Sequence, residues 1–204
     1  MPDYIGFGRS LKLPDTGDYS YQAHVNWLVS FLKGMSLQRV TEYFFDRGGF
    51  FGLRIAAGHP DFFDRWREQQ FAQPRFPQGE MVNEGVLNKL RPEIIAAYDA
   101  TYPDESFKTG PRRFPMILPI MPDDPAAIAN TVAWEVLGRW QEPVLTLFSA
   151  SFAGSRMDPE RLIAHIPGAR DQDRALIGNA SFYIVEDSPD ELARRVVTFA
   201  VAGG

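Results

Sequence analysis

Nine prolines stand between residues 71 and 125: Pro74, Pro77, Pro92, Pro103, Pro111, Pro115, Pro119, Pro122 and Pro125. A prolyl nitrogen cannot donate to a strand ladder, and its ring clashes with the preceding turn inside a helix. This part of the chain therefore cannot supply a central sheet strand or one long helix. It is expected to form short pieces such as "EIIAAYDA", an irregular helical insertion. Any sheet must come from the flanks.

The flanks alternate. "GFGRSLKLPDTGDYS" (6–20) is loop, rich in Gly, Pro, Asp and Ser. "YQAHVNWLVSFLKG" carries Val25, Trp27, Leu28, Phe31 and Leu32 at helical spacing, with Gly34 as a stop. "QRVTEYFF" (38–45) is β-branched and aromatic and reads as a strand, and "GFFGLRIAAGHP" (49–60) as a helix ended by Gly58 and Pro60. "DDPAAIANTVAWEVLGRW" is a helix with an Asp cap and Pro125 in its first turn. Residues 142–150 read as a second strand and 174–180 as a third. "SPDELARRVVTFAVA" opens with Ser188 and Glu191 in capping-box spacing, and Leu192, Val196 and Phe199 form its inward stripe. Helices alternating with strands indicate an α/β chain with a mainly parallel sheet.

Composition narrows the function classes. The 204 residues are 45% hydrophobic and 13% aromatic, enough for a core, and the formal charge of −5 with scattered basic residues gives no electrostatic case for nucleic acid. With no cysteine, disulfides, thiolate nucleophiles and Cys-based zinc sites are excluded. His24, His59 and His165 are far apart without ligand spacing, so neither a metal nor another cofactor is expected. The first ten residues, "MPDYIGFGRS", have no signal-peptide pattern and no apolar run approaches a membrane span, so a cytoplasmic protein is the expectation.

In α/β sheets ligands bind at the carboxyl ends of the strands. "YFFDRGGFFG" (43–52) puts Asp46 at such an end, followed by Arg47, Gly48, Gly49 and an apolar helix. A strand–X–helix turn with small residues beside X is the geometry of a nucleophile elbow. The same residues also suit an ordinary turn or helix cap. Both readings stand at the level of the local sequence.

The wider sequence resembles the haloalkane dehalogenases of the α/β-hydrolase fold. The resemblance runs through the first 49 residues, through "AAYDATYPDESFKTGPRRFPMILPIMPDDPAAIAN" and "AWEVLGRWQEPVLTLFS", and into "VEDSPDELARRVVTFA". The middle stretch is similar to the cap of the subfamily with a Trp-bearing cap. The family's elbow is Gln-Asp-Trp-Gly-Gly; this chain has Phe45-Asp46-Arg47-Gly48-Gly49. The resemblance implies an incomplete α/β-hydrolase fold: a core from 1–65 and 126–204, with a helical cap over 66–125. It implies no counterpart to the family's opening strands, so that either the copy is truncated or the true start lies upstream of Met1. It also implies sheet edges, including a strand bearing Glu42, that invite self-association.

By that resemblance Asp46 is the nucleophile, attacking a halogen-bearing carbon of a small halogenated or apolar substrate to form an ester. Trp66 matches the cap Trp that donates to the halide, and is equally readable as an apolar anchor. Arg47 replaces the second donor; it either attracts halide, pairs with Asp46 or faces water. The triad is degenerate. The family's Gly-His-Phe-Leu-Gln-Glu-Asp becomes "SFYIVED", placing Phe182 (or, slid by one, Ser181) at the base. Phe152 stands at the acid. None of these can accept a proton near neutral pH. Two readings follow: an impaired dehalogenase-like hydrolase, or a non-catalytic relative binding a small apolar ligand or a protein partner. A serine hydrolase ranks behind both, since no Gly-x-Ser-x-Gly occurs.

Overall fold

Helix formation follows the local caps. In the computed structural model, which describes residues 3–36, 75–119, 123–151, 159–174 and 176–202, helix α1 spans Tyr21–Gly34. Its N-cap Ser20 accepts a hydrogen bond from the Ala23 amide at 3.0 Å. Helices α2 (Gln78–Glu84), α3 (Pro92–Asp99) and α4 (Thr109–Arg113) fall within the proline-punctuated segment, as short pieces separated by turns. Helix α5 (Pro125–Leu137) starts at a proline, and the Asp124 carboxylate accepts from the Ala126 amide at 2.8 Å. Helices α6 (Pro159–His165), α7 (Ile184–Asp187) and α8 (Pro189–Ala202) complete the described helices. The expected strand at 38–45 and helix at 49–60 lie outside the described residues.

The strands are shorter than expected. Of 142–150 only β1 (Phe148–Ser149) is a strand, and of the described residues in 174–180 only β2 (Leu176–Ile177). They pair in parallel with Phe148 opposite Leu176 and Ser149 opposite Ile177. The reason is partner supply: upstream of β1 the Val144 amide donates to the Gly168 carbonyl of the 3₁₀ turn Pro167–Ala169, at 3.0 Å. A stretch with strand-forming residues becomes a strand only where a ladder is offered. The expectation of an α/β chain with parallel strands holds.

The chain divides into two compact units, Met1–Pro77 with Ala97–Asn130, and Gln78–Ala96 with Thr131–Gly204. In the first, Tyr19 is almost fully buried and its hydroxyl donates to the Leu13 carbonyl while accepting from the Leu13 amide. Gly6, at φ +96°, approaches Gly110 so closely that a Cβ on Gly110 would stand 2.7 Å from the Gly6 Cα. The buried Lys108 donates to the Phe76 carbonyl at 2.7 Å and to Glu105 at 2.8 Å, and Arg112 reaches the same carboxylate at 2.5 Å. Burial pushes the Glu105 carboxyl up, but hydrogen bonds from Lys108 and Arg112 outweigh it and hold the group below its usual value.

Helix α1 turns inward only part of its apolar spacing, Trp27, Leu28 and Leu32, together with a histidine. Val25 and Phe31 are exposed, and His24 is the buried position, with Trp27 and Leu28 half-buried beside it. In the second unit, Ile177, Ala180, Ile184 and Leu192 form a core cluster, with Leu147, Val185 and Val196 against it. Leu192 and Val196 of the expected α8 stripe are therefore on this core, whereas Phe199 lines a cavity of the same unit. The α8 capping box is not the one expected: the Ser188 hydroxyl donates to the Asn179 carbonyl at 2.9 Å, and Glu191 pairs with Arg195 at 2.9 Å.

Candidate functional site

The parallel pair brings two loops to one end of the sheet. β1 runs into Ala150 and Ser151, and β2 into Gly178, Asn179, Ala180, Ser181 and Phe182. The ladder continues for one bond beyond the strands, from the Ala150 amide to the Ile177 carbonyl at 3.0 Å. The buried Ser149 hydroxyl donates to the Ala180 carbonyl, tying the end of β1 to the loop that carries positions 181 and 182. Carboxyl ends of parallel strands are where an α/β sheet binds ligands.

Asp187 organises the same loop. Its Oδ2 accepts from the Ser181 amide at 2.7 Å and its Oδ1 from the Leu87 amide at 2.8 Å. The carboxylate thus bridges the β2–α7 loop and the turn after α2. Tyr183 packs on that turn at Gly85, where a Cβ would lie 2.6 Å from the tyrosine ring. Its amide faces the Gly85 carbonyl at 3.4 Å. Phe182 and Tyr183 meet edge to face with ring centroids 4.8 Å apart. The loop is held by hydroxyl, carboxylate and aromatic contacts, and both Asp187 oxygens are engaged by backbone donors. Asp187 is the last residue of "SFYIVED", where it matches the final Asp of the family pattern, but nothing in the sequence points to its hold on the loop. Ser149 carried no signal apart from its position at a strand end.

Of the expected site residues, Ser181 and Phe182 stand on this loop, both half-buried. Asp46, Arg47, Trp66 and Phe152 lie outside the described residues, as do Glu42 and His59. The two described histidines are placed elsewhere. His165 stacks on the Trp134 ring at 3.8 Å between centroids, with Nε2 2.8 Å from the Trp134 carbonyl oxygen. His24 lies among aromatic rings in the first unit. Among the described residues no group of three or more His, Cys, Asp or Glu is arranged to hold a metal, and no helix is long and apolar enough to cross a membrane.

A cavity of about 320 Å³ in the second unit is lined by Pro143, Leu145, Asp173, Arg194, Arg195 and Phe199, among others. It adjoins the residues that precede β1, the amino end of the strand, so it is not the sheet's ligand end. Arg195 is fixed there by Glu191 and Asp173. Its hydrogen bond to Glu191 is the largest cause of a guanidinium held above its ordinary value.

No family model matches the chain. Curated relatives do. The haloalkane dehalogenase of Mycobacterium marinum is 39% identical over 219 residues, covering 97% of this chain and 73% of that protein. That of Mycolicibacterium paratuberculosis is 41% identical over 224 residues, covering 98% and 73%. That of Psychrobacter cryohalolentis is 38% identical over 221 residues, covering 97% and 72%. Among solved structures, haloalkane dehalogenase DpaA from Paraglaciecola agarilytica superposes with a TM-score of 0.78 at 21% identity, over 97% of this chain and 72% of that one. DbeA from Bradyrhizobium elkani gives 0.76 at 18% identity, over 98% and 79%. The likeness thus spans nearly the whole of this chain and about three quarters of each relative.

Proposed function

This chain belongs to the haloalkane dehalogenase family and has its α/β-hydrolase fold, and from that membership we propose a hydrolase of carbon–halogen bonds that stalls after its first chemical step. A carboxylate oxygen of Asp46 attacks the carbon bearing the halogen. The new C–O bond forms as the C–halogen bond breaks, and halide leaves with the bonding pair. The indole N–H of Trp66 and the guanidinium of Arg47 are the groups that would stabilise the departing anion. The substrate is a small halogenated, otherwise apolar molecule, taken between a core of residues 1–65 and 126–204 and a cap of 66–125.

Hydrolysis of the ester needs a water molecule to lose its proton as it attacks the carbonyl. Absence of a general base costs about 10²–10⁴-fold in rate. The observation that carries the reading is the loop after β2: Phe182 and Ser181 occupy it, and neither accepts a proton near neutral pH. His165 Nε2 is already engaged with the Trp134 carbonyl. Phe152 at the acid position supports the same conclusion.

Intact-mass spectrometry after incubation with a bromoalkane tests this. The expected result is one alkyl group added per chain, absent from Asp46→Ala, with halide release stopping at about one equivalent. Sustained halide release that disappears in Asp46→Ala overturns the stall and leaves a working dehalogenase. Neither adduct nor halide from folded protein favours the non-catalytic reading, in which the same surface holds a small apolar ligand or a protein partner; the loss of both base and acid is what supports that second reading.

A further inference from the structure

His24 is 7% exposed, and neither Nδ1 nor Nε2 has a hydrogen-bond partner. Its surroundings are aromatic. Trp27 lies 4.9 Å away, Phe114 5.2 Å and Tyr4 5.7 Å between centroids, all near perpendicular, and Tyr19 stacks at 6.1 Å. These rings come from three places: the N-terminal loop (Tyr4, Tyr19), helix α1 (Trp27) and the 3₁₀ turn Phe114–Ile117. The imidazole is thus a common contact of these three described elements.

A neutral imidazole leaves one N–H without an acceptor and one lone pair without a donor, but it carries no charge. An imidazolium brings a charge and a second N–H, and neither N–H has an acceptor here. Contact of the charge with the surrounding rings would return part of the cost. Burial wins: it lowers the His24 value from 6.5 to about 4. Of the charged groups on the packed elements, Asp3, Asp15 and Lys12 have partners of their own, and Arg113 keeps a buried Nε without a hydrogen-bond partner. On the N-terminal loop the Asp3 carboxylate accepts from the Arg9 amide at 2.9 Å, and the Asp15 carboxylate from the Gly17 amide at 2.7 Å. Lys12 donates to the Gly8 carbonyl and lies over the Tyr102 ring. Asp18 acts on the Tyr19 hydroxyl, which burial already pushes above its ordinary value. On the turn the nearest cation in the chain is Arg113. None of these is among the ring partners of His24.

We propose that the His24 cluster is an acid-sensitive latch: the neutral ring holds the N-terminal loop, α1 and the 114–117 turn together, and its protonation releases them. The sign follows from the unfolded chain, whose His24 binds a proton at higher pH than the folded one. The stabilising effect is complete above about pH 6.5 and is lost as pH falls from there toward about 4. At pH 5 that amounts to about a thirtyfold rise in the unfolding equilibrium constant, and to about 300-fold below pH 4.

Urea unfolding of the full chain, followed by tryptophan fluorescence at pH 8 and pH 5, tests the latch beside His24→Phe, which keeps a ring but cannot ionise. The wild-type equilibrium constant is expected to rise by about thirtyfold more than that of His24→Phe between the two pH values. Equal pH dependence in both overturns the proposal. Where His24→Phe does not fold, NMR titration of the wild-type imidazole C–H replaces it. A His24 midpoint near 4 with broadening of Trp27 and Tyr4 signals supports the latch, and a midpoint at 6.5 or above overturns it.

Discussion

At the scale of single residues, Asp187 shows how a carboxylate that the sequence offers only as the end of a motif becomes structural. Its carboxylate holds the Ser181 and Leu87 amides, at 2.7 and 2.8 Å. Hydrogen bonds to a charged group contribute about 1.5–3 kcal/mol, and the loss is greatest where the orphaned amide stays away from water. Asp187→Ala is therefore expected to cost about 2 kcal/mol in urea denaturation. The Ser181 and Leu87 amides should exchange with solvent at least tenfold faster in hydrogen-exchange mass spectrometry. Unchanged exchange at both would mean that the carboxylate does not order the loop. The stretch "SFYIVED" was legible as a match to the family pattern, with Phe182 or Ser181 at the base position as the expectation. The grip on that position was not, because it depends on residues 87 and 149, remote along the chain and adjacent only after folding.

At the scale of elements, caps were the readable part. Asp124 and Pro125 announce α5, and the Asp124 carboxylate does accept from the Ala126 amide. Asp124→Ala is expected to destabilise the chain by about 1 kcal/mol, measured as a shift in the urea midpoint with the slope unchanged. Side-chain direction was less readable. Ser20 caps α1 with its hydroxyl, whereas Ser188, in equally good capping spacing, gives its hydroxyl to the Asn179 carbonyl. Spacing along a helix specifies which donors are available. Which acceptor wins depends on what the neighbouring loop brings within reach. The same competition explains α1, where the apolar spacing pointed to Val25 and Phe31 but the aromatic cluster around His24 became the buried face.

At the scale of the whole molecule, the proposed stall predicts its own repair. If the loop after β2 still presents position 182 to the ester, Phe182→His should speed decay of the alkylated protein by about 10²-fold or more. Adding Phe152→Asp should speed it further by orienting the imidazole. An adduct equally long-lived in wild type and both variants, followed by intact mass, would show that the site no longer assembles around Asp46. Residue order alone was enough to determine that the described middle of this chain is helical and broken, that helices and parallel strands follow it, and which family it belongs to. Those properties are local: proline removes donors, periodicity selects helix or strand, and motif residues keep their register. Tertiary structure alone decided that two nine- and seven-residue strand candidates shrink to Phe148–Ser149 and Leu176–Ile177, that Asp187 clasps the loop, and that a histidine is sealed among aromatic rings. Each of these depends on a partner distant in sequence, and a ladder, a carboxylate or a buried ring has no energy until that partner arrives.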